Sequence, residues 1–378
     1  MDQRCQMKNV SRVVIKIGTR VLTGEDNLIL RERICRLAGQ TMDLYERGVT
    51  AVLVSSGAVG AGLGKLGQKS YPRIIPERQA VASVGQVELM KMWEDAFASH
   101  GRLVGQVLIM AEDFQNRRRY VNLQNTFESL LRLGVVPIVN ENDSVAVREL
   151  KYGDNDTLSA QVAGIVDAQV LIILTDIDGV YTANPSRDPG ARRISLVETI
   201  TPSIIKATRG KGSEVSIGGM SKKIEAANLV TEAGRYCVIA SGRDCSLVGI
   251  IEGRDVGTLF LPKSNGMTRR KHWIAFTGRS RGKLIVDEGA RNALVKRGSS
   301  LLSSGIRELS GRFDSGDVVD IACSADGKTF ARGVTSYGAD DLLRIKGLHS
   351  SRIAEVLGHT GPEEVIHKDN LVLLHPLS

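Results

Sequence analysis

Short continuous runs of β-branched and aliphatic residues alternate along this chain with longer segments of helical spacing. Residues 13–17, 51–54, 103–110, 135–139, 170–174 and 236–240 are such runs. At this length, unbroken apolar character fits strands buried on both faces. Residues 30–47, 77–100, 117–133, 157–167 and 221–233 predict helices, with Val121, Leu123, Phe127, Leu130 and Leu131 marking the core face of one of them. Strand and helix in alternation predict an α/β domain with a mainly parallel sheet, and residues 236–240 are expected to be its last strand.

The polar residues that interrupt this pattern gather where strands end. Lys16 stands in an otherwise apolar run, where a lysine is costly to bury unless paired. The run 51–54 ends in Ser55-Ser56-Gly57-Ala58, and 135–139 ends in Asn140-Glu141-Asn142-Asp143. A second acidic-amide cluster follows in Asp154-Asn155-Asp156, and 170–174 ends in Thr175-Asp176. Asn and Asp are ordinary turn formers, and Asp156 fits a helix N-cap. Two such clusters around one loop, at the end of a buried strand, point further, because open α/β sheets bind ligands at their strand ends.

Glycine-rich stretches refine this. Gly62-Leu63-Gly64-Lys65-Leu66-Gly67 has the letters of a dinucleotide fingerprint but does not directly follow the strand, and Gly64-Lys65 lacks the rest of a P-loop. The run 57–67 therefore reads as a flexible turn in which Ser56 and the Gly57 amide meet a ligand. Gly218-Gly219, ahead of a helix expected from Ser221, would offer free amides to a phosphate, with lysines beside it. Two lysines, several carboxylates and no Walker motif suggest phosphoryl transfer, which asks mainly for positioning and positive charge.

Length and charge bound the rest. At 378 residues, two domains are expected. No apolar run reaches membrane-spanning length, and Met1-Asp2-Gln3-Arg4-Cys5 is followed by polar residues, so no secretory signal is expected. The five cysteines, odd in number and without a C-x-x-C, fit reduced thiols in the cytoplasm and no metal site. The net charge of +8 lies mostly before Arg279; from Arg279 onward stand 14 Lys and Arg against 13 Asp and Glu.

In order along the chain, VVIKIGT, VSSGA, VNEND, GDND-x-LSA, LTDIDGVYTANP and GGMSKK resemble the glutamate 5-kinase family of the amino acid kinase superfamily. The resemblance implies a three-layer αβα sandwich around a mainly parallel sheet. It implies ATP (with Mg²⁺) and L-glutamate as substrates, and L-glutamyl 5-phosphate, the first product of proline biosynthesis. Carried over by motif, Lys16, Asp156 and Lys223 are catalytic, with Asp156 holding the two lysines. Ser56, Asp143 and Asn155 bind glutamate. Lys16, Thr175, Asp176 and the segment Ile217, Gly218, Gly219, Met220, Ser221, Lys222 and Lys223 meet ATP, the segment closing over its phosphates as a loop. The γ-carboxylate nucleophile, which ordinarily titrates near pH ~4.3, needs no general base. Two positions depart from the family: Lys222 stands where Thr is common, and Ile217 replaces another Thr.

The C-terminal third changes character. Residues 263–278 read as a linker between a kinase domain over 1–262 and a small domain over 279–378. Residues 282–287 and 317–322 read as strands, with a helix from Asp287 to about Arg297. This order resembles a PUA domain, a small β-barrel that binds RNA in RNA-modifying enzymes. Near-neutral charge disfavours RNA here, since phosphate neutralisation supplies most non-specific affinity. The family further implies feedback inhibition by proline, a homodimer or homotetramer, and handover of the labile product to glutamyl phosphate reductase. Two alternatives stand beside this reading. One is another amino acid kinase, acting on acetylglutamate or aspartate. The other is an RNA-binding protein on a relic kinase fold.

Overall fold

Five successive buried residues make β1 (Arg12–Ile17) a strand with no solvent face, and the larger sheet is built outward from it. The computed structural model describes residues 3–68, 70–145, 155–185, 188–202, 204–205, 214–263, 271, 273–277 and 280–374. Beside β1 lie β2 (Thr50–Ser55) and β5 (Val170–Thr175), both parallel to it, with Lys16 opposite Val54 and Ile173. With β3 (Val104–Ile109), β4 (Val136–Glu141), β6 (Leu196–Val197), β7 (Tyr236–Ser241) and β8 (Thr258–Phe260), the order is β3-β4-β2-β1-β5-β7-β8-β6. Only the β7–β8 pairing is antiparallel. The sheet therefore does not end at β7 as expected. β8 and β6 are three and two residues long, too short to leave a period in the sequence.

The helices of this unit are α1 (Thr19–Leu22), α2 (Arg31–Glu46), α3 (Ala58–Leu66), α4 (Ile75–Ala98), α5 (Ala111–Gln115), α6 (Arg117–Arg132), α7 (Asn155–Ile165), α8 (Glu214–Glu232) and α9 (Leu247–Ile251). Two glycine-rich stretches depart from expectation. The run 57–67, expected as a flexible turn, is α3 from Ala58 onward. Its glycines serve close packing: a Cβ on Gly62 would stand 2.0 Å from the Val81 carbonyl oxygen of α4, and one on Gly85 1.7 Å from that of Ala58. The helix expected from Ser221 begins at Glu214 instead, so Gly218 and Gly219 lie within α8 and not in a loop ahead of it. Glycine has the weakest helix propensity of the non-proline residues, which placed the expected start too late. The helix also carries the lysine that contacts α7, and tertiary packing overrides propensity.

The chain divides into Met1–Asp113 with Arg118–Gly266, and Phe114–Arg117 with Met267–Ser378. The second unit has a five-stranded sheet of β9 (Ser280–Val286), β11 (Ile306–Gly311), β12 (Val318–Cys323), β13 (Thr329–Val334) and β15 (Leu371–Leu373), ordered β11-β9-β12-β13-β15. β10 (Leu301–Leu302) and β14 (Glu364–Ile366) pair separately. Its core gathers Leu284, Val286, Val319, Ile321, Ala331 and Leu342. α10 (Glu288–Arg297) is capped by the Asp287 carboxylate, which accepts the Ala290 N–H at 2.8 Å, and it ends at a left-handed Gly298. The stretch expected as linker holds a helical turn, Trp273–Thr277, in which Trp273, Ile274 and Ala275 are buried. Trp273 Nε1 donates to the Phe114 carbonyl at 2.7 Å, and the Arg117 guanidinium stands 5.4 Å from the indole centroid. Four residues from mid-chain thus belong to this second unit, a placement no local pattern signals.

Candidate active site

Lys16 reaches the end of β1 with its side chain 3% exposed, and a fully buried Asp156 meets it at 2.7 Å. On the other carboxylate oxygen, Lys223 Nζ stands at 3.0 Å. Asp156 sits in the first turn of α7, where the helix dipole favours a negative charge. Its side chain serves the lysines, and the simple N-cap reading falls away. α7 packs on β1, β2 and β5 and touches α8, which supplies Lys223. Lys223 Nζ also donates to the Gly219 carbonyl one turn back, at 3.3 Å. Two ammonium groups share this one buried carboxylate. That arrangement is costly on its own and suits an anion.

Lys222, the departure from the family pattern, is half-buried, whereas Lys223 is buried. Among the described residues, Lys223 is the member of the pair that meets Asp156. The Cys237 thiol on β7 is held well above its usual pKa, first by burial and then by the Asp156 carboxylate. It is a neutral neighbour and not a nucleophile.

A second network joins the first through the adjacent residue. Asn155 Nδ2 donates to the Ser55 carbonyl at 3.2 Å, to Ser56 Oγ at 3.0 Å and to Asn140 Oδ1 at 2.9 Å. Asn140 Oδ1 accepts the Glu141 N–H at 2.9 Å, and Asn140 Nδ2 donates to Gln86 Oε1 at 2.8 Å. Trp93 Nε1 donates to Ser55 Oγ at 3.1 Å. The corner after β2 is tight: Gly57 takes φ +109, a conformation that favours glycine. β4 runs two residues further than expected, so Asn140 and Glu141 are buried strand residues and not loop.

Thr175 ends β5, on the other side of β1, and Asp176 follows it. Thr175 Oγ1 donates to Asp176 Oδ1 at 3.1 Å, and Arg20 pairs with Asp176 Oδ2 at 3.0 Å. Partial burial pushes the Asp176 carboxyl upward. Hydrogen bonds from Arg20, its own backbone and Thr175 outweigh this and hold it below the usual range. Asp143 is half-buried in the turn after β4, with its N–H on the Glu141 carbonyl, and its carboxylate helps raise the Tyr71 phenol, after burial. Of the expected nucleotide segment, Gly219, Met220 and Ser221 belong to α8, with Met220 and Ser221 half-buried, and Ser221 Oγ donates to Glu225 at 3.3 Å. Ile217 and Gly218 lie in the same helix; their side chains, like Asp154, lie outside the described residues.

The structure thus brings together Lys16, Asp156 and Lys223, and joins Ser56 to Asn155. Sequence reasoning missed Gln86, Trp93 and Arg20 as partners of this region. Gln86 and Trp93 are single polar or aromatic residues of a long helix, with no local mark. Arg20 directly follows Gly18-Thr19, and that position was its only signal.

Comparison with known proteins gives the family. Residues 11–241 match the amino acid kinase family and residues 282–357 the PUA domain. A glutamate 5-kinase of Syntrophotalea carbinolica is 47% identical over 368 residues, which is 97% of this chain and 98% of that protein. One from a Geobacter species is 46% identical over 369 residues, 97% of this chain and 99% of that protein. Among solved structures, a carbamate kinase from Giardia lamblia bound to AMP-PNP matches 68% of this chain and 100% of its own. It has 18% identity and a TM-score of 0.49, a distant likeness.

Proposed function

The chain belongs to the amino acid kinase family and, within it, to the glutamate 5-kinases, and from this we propose how its residues divide the work. The γ-carboxylate of L-glutamate attacks the γ-phosphorus of ATP. A carboxylate O–P bond forms, the bond from that phosphorus to the β,γ-bridging oxygen breaks, and ADP leaves with the electron pair. The nucleophile is ionised at neutral pH, so no proton has to move. The barrier is repulsion between anions, and positive charge lowers it.

Lys16 and Lys223 supply that charge. Asp156 holds both ammonium groups in place before the nucleotide arrives, so little reorganisation is needed during transfer. Ser56, Asn155 and Asp143 orient glutamate at the ends of β2 and β4. Thr175 and Asp176, at the end of β5, face the nucleotide with the exposed side of α8. The observation that carries this reading is the buried Lys16–Asp156–Lys223 cluster at the strand ends. It also weighs against a relic fold kept for RNA, which has no use for so costly an arrangement.

The family's chemistry includes Mg²⁺. Among the described residues no three His, Cys, Asp or Glu side chains converge, and both oxygens of Asp156 are engaged by ammonium groups. The described residues form no protein cage for the ion, which commonly rides on substrate phosphates.

The reading extends to proline as a competitor of glutamate, to a homodimer or homotetramer, and to transfer of the labile acyl phosphate to a reductase. A cytoplasmic setting is supported by free thiols at Cys237, Cys245 and Cys323. No helix among the described residues is long and apolar enough to cross a membrane. The deciding test is ATP-dependent acyl phosphate formation trapped with hydroxylamine, run with L-glutamate, acetylglutamate and aspartate, and with UMP followed by ADP release. Glutamate-specific hydroxamate is expected, and turnover of another acceptor alone overturns the substrate assignment. For proline, a glutamate response unchanged at millimolar concentration removes that extension.

A further inference from the structure

The amide network has a direction, and two backbone groups fix it. The Glu141 N–H can only donate, so Asn140 must present Oδ1 to it. The Ser55 carbonyl can only accept, so Asn155 must present Nδ2. These two constraints agree, because Asn155 Nδ2 also donates to Asn140 Oδ1. Asn140 then has only Nδ2 left for Gln86, which meets it with Oε1. The sense of all three amides is thereby set, and the far end of the chain is a donor, Gln86 Nε2.

That donor is buried and has no hydrogen-bond partner among the described residues. Leaving such a group unpaired costs about 1–3 kcal/mol, so its place in a functional network calls for an explanation. Its neighbour Gly85 locates it. α4 passes so close to the first turn of α3 that a Cβ at position 85 would stand 1.7 Å from the Ala58 carbonyl oxygen. Gln86 is therefore held beside the Ser56-Gly57-Ala58 corner, at the same strand ends as Asn140 and Asn155. Along the contacts it is the member furthest from the lysines: Asp156 adjoins Asn155, Asn155 bonds Asn140, and Asn140 bonds Gln86.

We propose that Gln86 is a substrate-binding residue whose Nε2 donates to the α-carboxylate of the glutamate acceptor. This rests on the reading of the chain as a glutamate 5-kinase. The reacting γ-carboxylate belongs at the lysine end of the network, so the carboxylate left for the opposite end is the α one. Binding then gives the unpartnered Gln86 amide nitrogen an acceptor. An acceptor lacking that carboxylate leaves the donor buried and unpaired, which is how a polar site rejects a near-analogue.

The test compares Gln86→Glu with Gln86→Met in the full chain. The glutamate variant keeps the acceptor oxygen for Asn140 but replaces the donor; the methionine variant is neutral and of similar size. Both are expected to raise KM for glutamate about tenfold or more, the effect of losing a hydrogen bond to a charged group. KM for ATP should hold within about twofold and kcat within about threefold. A role confined to supporting Asn140 predicts an unmoved KM in Gln86→Glu and overturns the proposal. A simple charge effect predicts an unmoved KM in Gln86→Met and overturns it equally. A glutamate-bound structure with Gln86 Nε2 beyond hydrogen-bond reach of the α-carboxylate has the same force, even if both KM values rise. Failure of the unsubstituted chain to turn over glutamate removes the functional reading, and this proposal with it. Turnover with an unmoved KM in either variant removes this proposal alone.

Discussion

The two polar networks at these strand ends are built from opposite materials. One is made of full charges, Lys16, Asp156 and Lys223, and the other of neutral amides, Gln86, Asn140 and Asn155. Charge is the stronger tool but carries little direction, and in a dry site it is costly unless balanced. Neutral amides are weaker but directional: each presents a donor on one side and an acceptor on the other. The charged network therefore suits the step in which negative charge moves between oxygens. The amide network suits the choice of amino acid. Asn155 and Asp156 are consecutive in the first turn of α7, so one helix start aligns selection with chemistry.

If this division holds, the largest effects follow from the lysines and fall on kcat. Lys223→Ala is expected to lower kcat by about 10²–10³, the usual loss for one group that stabilises transition-state charge. Lys222→Ala should stay within about threefold, because Lys222 lies outside the Asp156 pair. Steady-state hydroxamate assays give both values, and equal losses would end the assignment of Lys223 as the phosphate-facing member. Asp156→Asn comes next. It removes the negative charge that the two ammonium groups share, a loss of about 3–5 kcal/mol for a broken buried pair. Its melting temperature should fall, and saturating ATP should raise it by more than in the parent, since the nucleotide restores negative charge. An equal rise in both proteins would show that the lysines do not face the phosphates.

Asn140→Ala probes the other network at smaller scale. It unlinks Gln86 from Asn155 while Asn155 keeps its contacts to Ser55 and Ser56. A rise of about tenfold in KM for glutamate is expected from the weakened positioning, with kcat and the ATP response little changed. A fall in kcat without a change in KM would erase the distinction between the two networks.

How much of this was readable in advance depended on whether a residue's cost was local. Lys16 could be read because a charge among apolar strand residues demands a partner wherever the strand lies. Asp156 was ambiguous, because an acidic residue at a helix start has a cheap local use as a cap. Gln86 was invisible: its neighbours in sequence are exposed Val87 and buried Gly85, and the partner that gives it meaning lies 54 positions away. The glycines of α3 misled for the same reason. Gly62 reads as flexibility until α4 is placed against it and its lack of a Cβ becomes a packing requirement. The strand pattern, by contrast, pointed to the parallel sheet directly, since burial on both faces leaves an unbroken apolar run.

The smallest expected effect concerns Asp176 at the nucleotide side, which belongs to neither network. Its carboxyl is held below the usual range despite partial burial, by Arg20, its own backbone and Thr175. A lowered folded-state value means stability present above the unfolded value and lost as the pH falls through the folded one. Arg20 is 61% exposed, so solvent screens the pair and its worth is under about 1 kcal/mol. Urea unfolding of the parent and of Asp176→Asn should therefore show the parent slightly ahead at pH ~7. That lead should shrink as the solution is acidified through the carboxylate range, and also with added salt. A lead that persists in acid would mean that residue 176 acts through shape, leaving charge at the strand ends to the lysine cluster alone.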